Sequence, residues 1–401
     1  MESSPPPFPQ RAPNDLRRLF LVALAVATAG AVAQLALVLR LTYATDSGWI
    51  VAGLWLAGTL PAVALSPWIG LLIDRVETVL VLRLMAILEA VLDLGLAVLP
   101  GVGSVLLLAI GLGLTVSLST AGLYAVVSTV PDPERRSRRA GPLSLIQAAA
   151  WAGATVGPIV GAALVSALRT RLPLVLDAAV LTGCALALGG LRTRRRPNRI
   201  AAGPDSPWNG LSLLGRDPHL RGILGPVAMV IVAVNLGVVV DVFLATRVLM
   251  AGSIGYGALV TAWGAGMVGG TLLPQRVTGW SHQSLIGVGG ILAGLGLAGA
   301  GISPDIGLAV SAYVLGGLGN GLEANAARLL VQSRAEPGGA GRAFAAYFAF
   351  GSSAAAAGTV VGGLVLQPLG ARQALGLGAL LSVSGGLALL FLARIARRST
   401  V

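Results

Sequence analysis

Twelve long apolar segments follow one another along the 401-residue chain, and they constrain its fold more than any other feature. Each segment has about 19 to 27 residues, the length that a helix needs to cross ~30 Å of hydrocarbon. Strands of membrane barrels have only about ten residues, which leaves helices as the spanning elements. The sequence therefore predicts an all-α integral membrane protein. The predicted transmembrane segments are 19–40, 48–72, 79–99, 104–130, 143–168, 173–191, 221–247, 255–274, 284–302, 306–331, 344–366 and 374–393.

The composition agrees with a membrane protein and gives no sign of an enzyme. Hydrophobic residues make up 55% of the chain and charged residues only 11%, against roughly a quarter charged in soluble proteins. No GxSxG, HExxH or P-loop string occurs, and Cys184 is the only cysteine. We therefore expect no enzymatic activity, no disulfide within the chain, no metal site and no bound cofactor.

The arginine residues orient the predicted bundle. With the N-terminus inside, 23 of the 28 basic residues, all Arg, fall on the cytoplasmic side. This bias predicts that both termini and the long middle loop are cytoplasmic, in the plasma membrane of a bacterium. The net charge of +12 is then explained by the orientation of the bundle in the membrane. We therefore expect the lipid bilayer rather than nucleic acid as a partner. The five arginines on the outer side are Arg40, Arg169, Arg171, Arg247 and Arg372.

The middle loop divides the segments into two sets of six that share a repeat. Two landmarks of the first half recur 201 residues later: "GLLIDRV" from Gly70 matches "TLLPQRV", and "GPIVGA" from Gly157 matches "GTVVGG". Parallel repeats of this kind are typical of carriers that work by alternating access. The predicted organisation is a disordered tail (1–18), a six-helix half (19–191), a linker (192–220), a second half (221–393) and a tail (394–401).

The first landmark resembles motif A of the major facilitator superfamily, a Gly-x-x-x-Asp-Arg core after the second helix. Gly70, Asp74 and Arg75 match it. The copy is degenerate, because Glu77 replaces the usual glycine and Thr78 begins the place of the usual basic pair. An acidic residue at Glu77 is similar to the branch of macrolide and siderophore exporters. Asp74, at the inner end of the second segment, could face the positive N-terminus of the eleventh, and this attraction would hold the cytoplasmic side closed.

The stretch "GATVGPIVGA" resembles motif C of the same superfamily, on its fifth helix. Gly153, Gly157, Pro158 and Gly161 match the motif, and Ala162 replaces its last glycine. Three glycines spaced four apart share one helix face and form a groove that another helix can approach closely, while the proline permits a bend. The resemblance implies a proton-exchanging exporter with this helix at a moving seam. Ordinary small-residue packing is the alternative interpretation.

Ionisable and amide side chains at membrane depth are the candidates for transport chemistry. Glu89 and Asp93 lie one turn apart on the third segment, and two close carboxylates repel, so we expect at least one of them to carry a proton near neutral pH. A purely structural hydrogen bond is the alternative role of Glu89. Asp177 and Arg83 lie near segment ends and are interpreted as interfacial. The further candidates are Asp241 and Glu323 for proton coupling, and Gln34, Asn235, Asn320 and Asn325 for the substrate cavity.

Together these features predict a monomeric secondary transporter that exports a small, largely apolar compound in exchange for protons. A drug or secondary metabolite fits, which would make antibiotic resistance one outcome of efflux. The resemblance implies a cavity between the halves, lined by helices 1, 4, 7 and 10. An importer or uniporter of a small solute is the alternative on the same fold. A sensor or assembly factor that kept the scaffold without transporting is the alternative from another class.

Overall fold

The computed structural model describes residues 12–45, 47–127, 142–191, 218–273, 279–334 and 340–398. These ranges contain eleven α-helices, and no strand occurs among them. The helices are α1 (Ala12–Ala44), α2 (Gly48–Arg75), α3 (Thr78–Val98), α4 (Val102–Val127), α5 (Pro142–Leu168), α6 (Arg171–Gly189), α7 (Pro218–Phe243), α8 (Gly252–Leu272), α9 (His282–Ile302), α10 (Ile306–Arg334) and α11 (Ala340–Arg398). One π-helical turn, Leu244–Val248, continues α7.

Helix α11 consists of two helical arms that meet at a kink. At Gly370 the backbone has φ 76° and ψ 167°, a left-handed conformation that glycine adopts without strain. Pro368 precedes the break, where its missing N–H loosens the helical hydrogen bonding. The two arms correspond to the eleventh and twelfth predicted segments. The all-α prediction is confirmed, and the twelve-segment count fits this architecture.

Most helices have the character of membrane spans. Eight of the helices in the described ranges contain a stretch long and apolar enough to cross a membrane. Helix α3 is not among them, since it carries Arg83, Glu89 and Asp93. A helix outside this set therefore brings two of the predicted site residues into the bundle.

Three predicted boundaries differ from the structure or lie outside it. Helix α1 begins at Ala12, so the predicted disordered tail through residue 18 was too long, and residues 1–11 lie outside the described part. Residues 394–398, predicted as a tail, continue the last helix. The predicted linker 192–220 lies almost wholly outside the described residues.

A tight connection aligns α3 with α4. Only three residues separate them, and the last, Gly101, has φ 100°. A residue with a side chain would be strained there, so glycine permits the sharp reversal. Because the helices run antiparallel and adjacent, the middle of α4 comes to lie beside the acidic face of α3.

Contacts within the two halves repeat at the offset found in the sequence. A Cβ added to Gly157 on α5 would lie 2.5 Å from the Cβ of Ala31 on α1. In the second half, a Cβ added to Gly358 on α11 would lie 2.9 Å from the Cα of Val232 on α7. Gly358 stands 201 residues after Gly157, and Val232 stands 201 residues after Ala31. The duplicated sequence therefore folds into duplicated helix packing.

Contacts between the halves repeat in the same way. The hydroxyl of Ser253 on α8 donates to the carbonyl of Ala162 on α5, at 3.4 Å. A Cβ added to Gly363 on α11 would lie 3.0 Å from the Cβ of Ala52 on α2. Gly363 stands 201 residues after Ala162, and Ser253 stands 201 residues after Ala52. The halves therefore meet along two equivalent seams, α5 with α8 and α2 with α11.

The hydrophobic core is shared by both halves at one end of the bundle only. At the end where α1 and α7 finish, one cluster joins the halves; it includes Leu39, Leu54, Leu244 and Leu259. At the opposite end each half has its own cluster, one around Leu19 and Ile146 and the other around Ile286 and Leu330. We call these the closed end and the open end. The two halves therefore pack against each other at the closed end and have separate cores at the open end.

Candidate functional site

A cavity of about 620 Å³ occupies the first half of the bundle. Helices α1 to α6 line it, and Ser352 of α11 contributes from the second half. Its wall is mostly apolar, with residues such as Val26, Leu112 and Leu181. Of the four helices predicted to line the substrate cavity, α1 and α4 are present here.

Three carboxyl groups lie on the wall of this cavity. Glu89 and Asp93 come from α3, as predicted, and Asp177 comes from α6. They are 3%, 1% and 4% exposed, so all three are buried inside the bundle. The hydroxyl of Ser119 on α4 donates to Oε1 of Glu89 at 2.7 Å. Three helices thus build an acidic cluster in an otherwise apolar wall.

Asp177 is the residue that the sequence-based interpretation missed. It was predicted to be interfacial, whereas the structure buries its side chain inside the bundle, on the same cavity wall as Asp93. Two buried carboxyl groups on one wall disfavour a second negative charge, so we expect one of the pair to carry a proton. The sequence shows Asp177 only as an acidic residue within an apolar segment. This pattern does not indicate that Asp93 lies beside it. Arg83 is half-buried, and its Nε donates to the carbonyl of Ala185 at 3.2 Å.

The pair keeps free hydrogen-bonding capacity. The Oδ1 atoms of Asp93 and Asp177 are buried and have no hydrogen-bond partner in the described part of the chain. A buried acceptor without a partner costs roughly 1–3 kcal/mol. Water, a proton or a ligand in the cavity could reduce that cost. Within the described ranges, no group of His, Cys, Asp and Glu has the arrangement to hold a metal ion.

A second cavity, of about 250 Å³, lies between the halves towards the closed end. Its walls come from α1, α2 and α5 on one side and from α7 to α10 on the other. Asp241 on α7 lines it and accepts a hydrogen bond from the hydroxyl of Tyr313 on α10. Helices 7 and 10 of the predicted set are therefore found here. Ala31, Gln34 and Trp55 line both cavities and mark where the two meet.

The amide candidates have different surroundings. Gln34 lines both cavities, whereas Asn235, Asn320 and Asn325 line neither. Asn235 donates to a carbonyl of its own helix at 2.8 Å. Asn325 donates to the carbonyl of Thr271 at 2.7 Å and so ties α10 to α8. The structure thus brings only Gln34 of this group to a cavity wall.

Glu323 lies apart from both cavities. It is 2% exposed on α10, and its Oε1 has no hydrogen-bond partner among the described residues. The helix packs closely on α9, where a Cβ added to Gly289 would lie 2.8 Å from the Cβ of Glu323. Its position is a helix–helix contact in the second half, distant in the fold from the cluster on α3 and α6.

The motif C glycines form a tight groove that α1 fills. Added Cβ atoms at Gly153, Gly157 and Gly161 would lie 2.7, 2.5 and 3.0 Å from atoms of α1. The other face of α5 meets α8, where a Cβ at Gly257 would lie 2.7 Å from the carbonyl oxygen of Pro158. Helix α5 is therefore clamped between a helix of its own half and one of the other half. The glycine face of α5 contacts α1, in its own half, and does not contact α8 of the other half.

The motif A residues can be placed only in part. Gly70, Asp74 and Arg75 belong to the last turns of α2, but their side chains lie outside the described residues. The latch expected of Asp74 stays a prediction.

The fold, the two seams and the cavities define a membrane carrier with two related halves. The family model of the Major Facilitator Superfamily matches residues 19–359, and the chain belongs to this superfamily. Its members are transporters. We found no curated protein that matches the sequence significantly.

Solved structures share the fold at low sequence identity. A peptide transporter of the POT family, in complex with alafosfalin, has a TM-score of 0.78 at 14% identity and covers 95% of each chain. The nucleoside transporter NupG has a TM-score of 0.75 at 14% identity, covering 94% of this chain and 100% of its own. A bacterial homolog of the human lysosomal transporter Spinster, inward-facing and occupied, has a TM-score of 0.73 at 15% identity and covers 98% of each. At these identities the likeness shows the fold alone.

Proposed function

We propose that this transporter exports a small, largely apolar compound in exchange for protons by alternating access. The observation that carries the proposal is the buried cluster of Glu89, Asp93 and Asp177 on the wall of a large apolar cavity. A carrier that exchanges substrate for protons needs groups that bind and release a proton inside the membrane, and carboxyl groups serve this purpose.

The lining of the large cavity favours an uncharged or positively charged substrate. Apolar side chains dominate it, and its charged residues in the described part of the chain are all acidic. An anionic sugar phosphate or nucleotide would need arginine or another donor as a counter-ion. A neutral or cationic compound needs none.

The proton-sharing pair suggests how exchange could work. The proton between Asp93 and Asp177 makes two buried carboxyls tolerable while the cavity is dry. Substrate or water that enters the cavity would change the surroundings of both groups at once. Binding of substrate and binding of a proton are then alternatives at one wall, which is the requirement for exchange.

The orientation predicted by the arginines is compatible with export. If both termini are cytoplasmic, the open end faces the cytoplasm, and substrate reaches the cavity from inside. Motif C and the acidic cluster favour export with protons. An importer or uniporter, and a sensor that does not transport, are the competing functions.

The test is efflux of a panel of compounds from cells that express the protein, with and without an uncoupler. We expect efflux that stops when the proton gradient collapses. Movement that continues down a concentration gradient despite the uncoupler would indicate a uniporter. If no compound moves, the sensor function is favoured instead.

Glu89→Gln tests the cluster in proteoliposomes with an imposed proton gradient. The amide imitates the protonated carboxyl and keeps an acceptor for Ser119, so we expect binding to persist and uphill efflux to fail. Asp305→Asn is a matched control: Asp305 is exposed, and its Oδ1 accepts from the N–H of Leu308 at 3.0 Å, as an amide oxygen also can. Uphill efflux at the parent rate in Glu89→Gln would remove Glu89 from the proton path.

A further inference from the structure

The small cavity between the halves differs in composition from the large one. Four of its fifteen lining residues are aromatic, against 5% aromatic residues in the whole chain. Trp55 comes from the first half, and Tyr256, Trp263 and Tyr313 come from the second. In the large cavity Trp55 is the sole aromatic residue of the described lining. The aromatic side chains are thus concentrated in the smaller of the two cavities.

One carboxyl group lies in the same cavity as these aromatic rings. Asp241 is the single charged residue in the described lining of this small cavity, and it is only half-buried there. Tyr313 donates its hydroxyl to Oδ1, and its ring packs edge-on against Trp263 with the centroids 5.5 Å apart. One donor satisfies only part of a carboxyl group, which can accept about four hydrogen bonds. The carboxyl is therefore oriented by Tyr313 and still able to bind a ligand.

A second polar group of the cavity lacks a partner. Nε1 of Trp55 is buried and donates no hydrogen bond within the described part of the chain. Indole N–H groups usually find an acceptor when buried. A ligand that carries a hydrogen-bond acceptor near its charged group would supply one. Trp55 lies on the opposite half from Asp241, so such a ligand would contact both halves.

From this geometry we propose that the small cavity binds a positively charged amine of the transported compound. Asp241 supplies the counter-charge, and the faces of Trp55, Trp263, Tyr256 and Tyr313 supply cation–π attraction. Aromatic rings around a cation are the usual means of recognising substituted ammonium groups. The inference rests on the proposed export function and narrows its substrate class to apolar compounds with a basic nitrogen.

The position of the small cavity indicates how a transported compound would lie across the two cavities. It lies beneath the shared core of the closed end and joins the large cavity at Gln34 and Trp55. A compound entering from the open end would place its apolar part in the large cavity and its ammonium group at the far end. The amine site is then distinct from the acidic cluster, since none of Glu89, Asp93 and Asp177 lines the small cavity.

The experiment measures binding to the purified protein in detergent, without a proton gradient. The probes are benzyltrimethylammonium and neopentylbenzene, which have the same shape but differ in charge. Binding is followed by isothermal titration and by tryptophan fluorescence, because two tryptophans line the site. We expect the cation to bind at least about tenfold more tightly than its neutral analogue. Equal affinity of the two probes would overturn the proposal.

Variants locate the site. Asp241→Asn should weaken cation binding about tenfold or more and leave the neutral probe unchanged, because only the charge is removed. Trp55→Leu should weaken cation binding severalfold from the other half. Glu323→Gln is the matched control, a buried acid outside both cavities that is neutralised in the same way, and should bind the cation as the parent does. If Glu89→Gln loses cation binding while Asp241→Asn keeps it, the site is at the acidic cluster and the proposal is wrong.

The amine site and the proposed export function can be tested independently of each other. Charge-selective binding lost in Asp241→Asn supports the amine site even if efflux proves insensitive to an uncoupler. Proton-driven efflux of neutral compounds, together with equal affinity for both probes, would leave the export function standing and overturn the amine site.

Discussion

At the scale of single residues, Asp177 changes the chemistry expected of the acids on α3. Sequence spacing pairs Glu89 with Asp93, one turn apart, but the structure gives each a different partner. Ser119 donates to Glu89, and Asp177 lies on the same buried wall as Asp93. A proton shared by Asp93 and Asp177 would lie between α3 and α6. A change in the packing of these two helices would therefore alter the proton-binding groups directly.

We expect Asp177→Asn to uncouple transport. The amide can donate to Asp93 permanently, so the pair no longer needs a proton for its hydrogen bond. Uphill efflux in proteoliposomes should fall about tenfold or more, a change of roughly 1.4 kcal/mol or greater in the driving step. Downhill movement of the same compound should persist.

Glu323→Gln is the comparison for this variant. It neutralises another buried acid, one that lies outside both cavities. Uphill efflux should survive it. A loss of coupling in Glu323→Gln with full coupling in Asp177→Asn would move the proton site to α10.

At the scale of helices, motif C shows what sequence can and cannot predict. The spacing of Gly153, Gly157 and Gly161 predicts a groove for a close helix, and α1 fills that groove. Which helix fills it could not be predicted, because the three glycines specify a close approach and no partner. The contact of α5 with the other half uses Pro158 and Ala162 on a different face.

We expect Gly157→Leu to abolish transport with membrane insertion largely intact. Even the first side-chain atom would lie 2.5 Å from Ala31 and 2.8 Å from the carbonyl oxygen of Thr28, which no rotamer relieves. Overpacking of this kind costs roughly 1–3 kcal/mol and would separate α1 from α5. Efflux and the amount of inserted protein are the two measurements.

Gly183→Leu is the matched control for this helix contact. An added Cβ at Gly183 on α6 meets nothing within 4 Å, so leucine is accommodated there. Transport should continue in Gly183→Leu. Transport at the parent rate in Gly157→Leu would remove motif C from the mechanism.

At the scale of the whole molecule, the fold was more predictable than the site. Apolar segment length and the 201-residue repeat predict the helices and their duplication, since both follow from local sequence. The site depends on residues that are distant in sequence. Tyr313 approaches Asp241 from 72 positions away, and Trp55 faces them from the other half. No spacing rule encodes such contacts, because they arise from tertiary packing of helices.

The seal at the closed end offers a test of alternating access. Nη2 of Arg247, after α7, donates to the carbonyl of Thr42 at the end of α1, at 3.1 Å. This bond joins the two halves and places a positive charge at a helix C-terminus, which is favourable. Arg372 makes similar bonds, at 2.8 Å each, to the carbonyls of Gly301 and Ser303, but within the second half alone.

We expect Arg247→Gln to open the closed end more often, while Arg372→Gln does not. Loss of a partly exposed charged hydrogen bond costs about 0.5–1 kcal/mol, or roughly a two- to fivefold shift in the balance of the two states. The reporter is Val238→Cys, a lining residue of the small cavity, in a protein whose single natural cysteine is replaced by Cys184→Ala. A thiol reagent that cannot cross the membrane is applied separately to each side. Labelling from the closed end should rise by that factor in Arg247→Gln and stay at the parent rate in Arg372→Gln. Equal labelling in both variants would show that the bond between Arg247 and Thr42 does not seal the carrier.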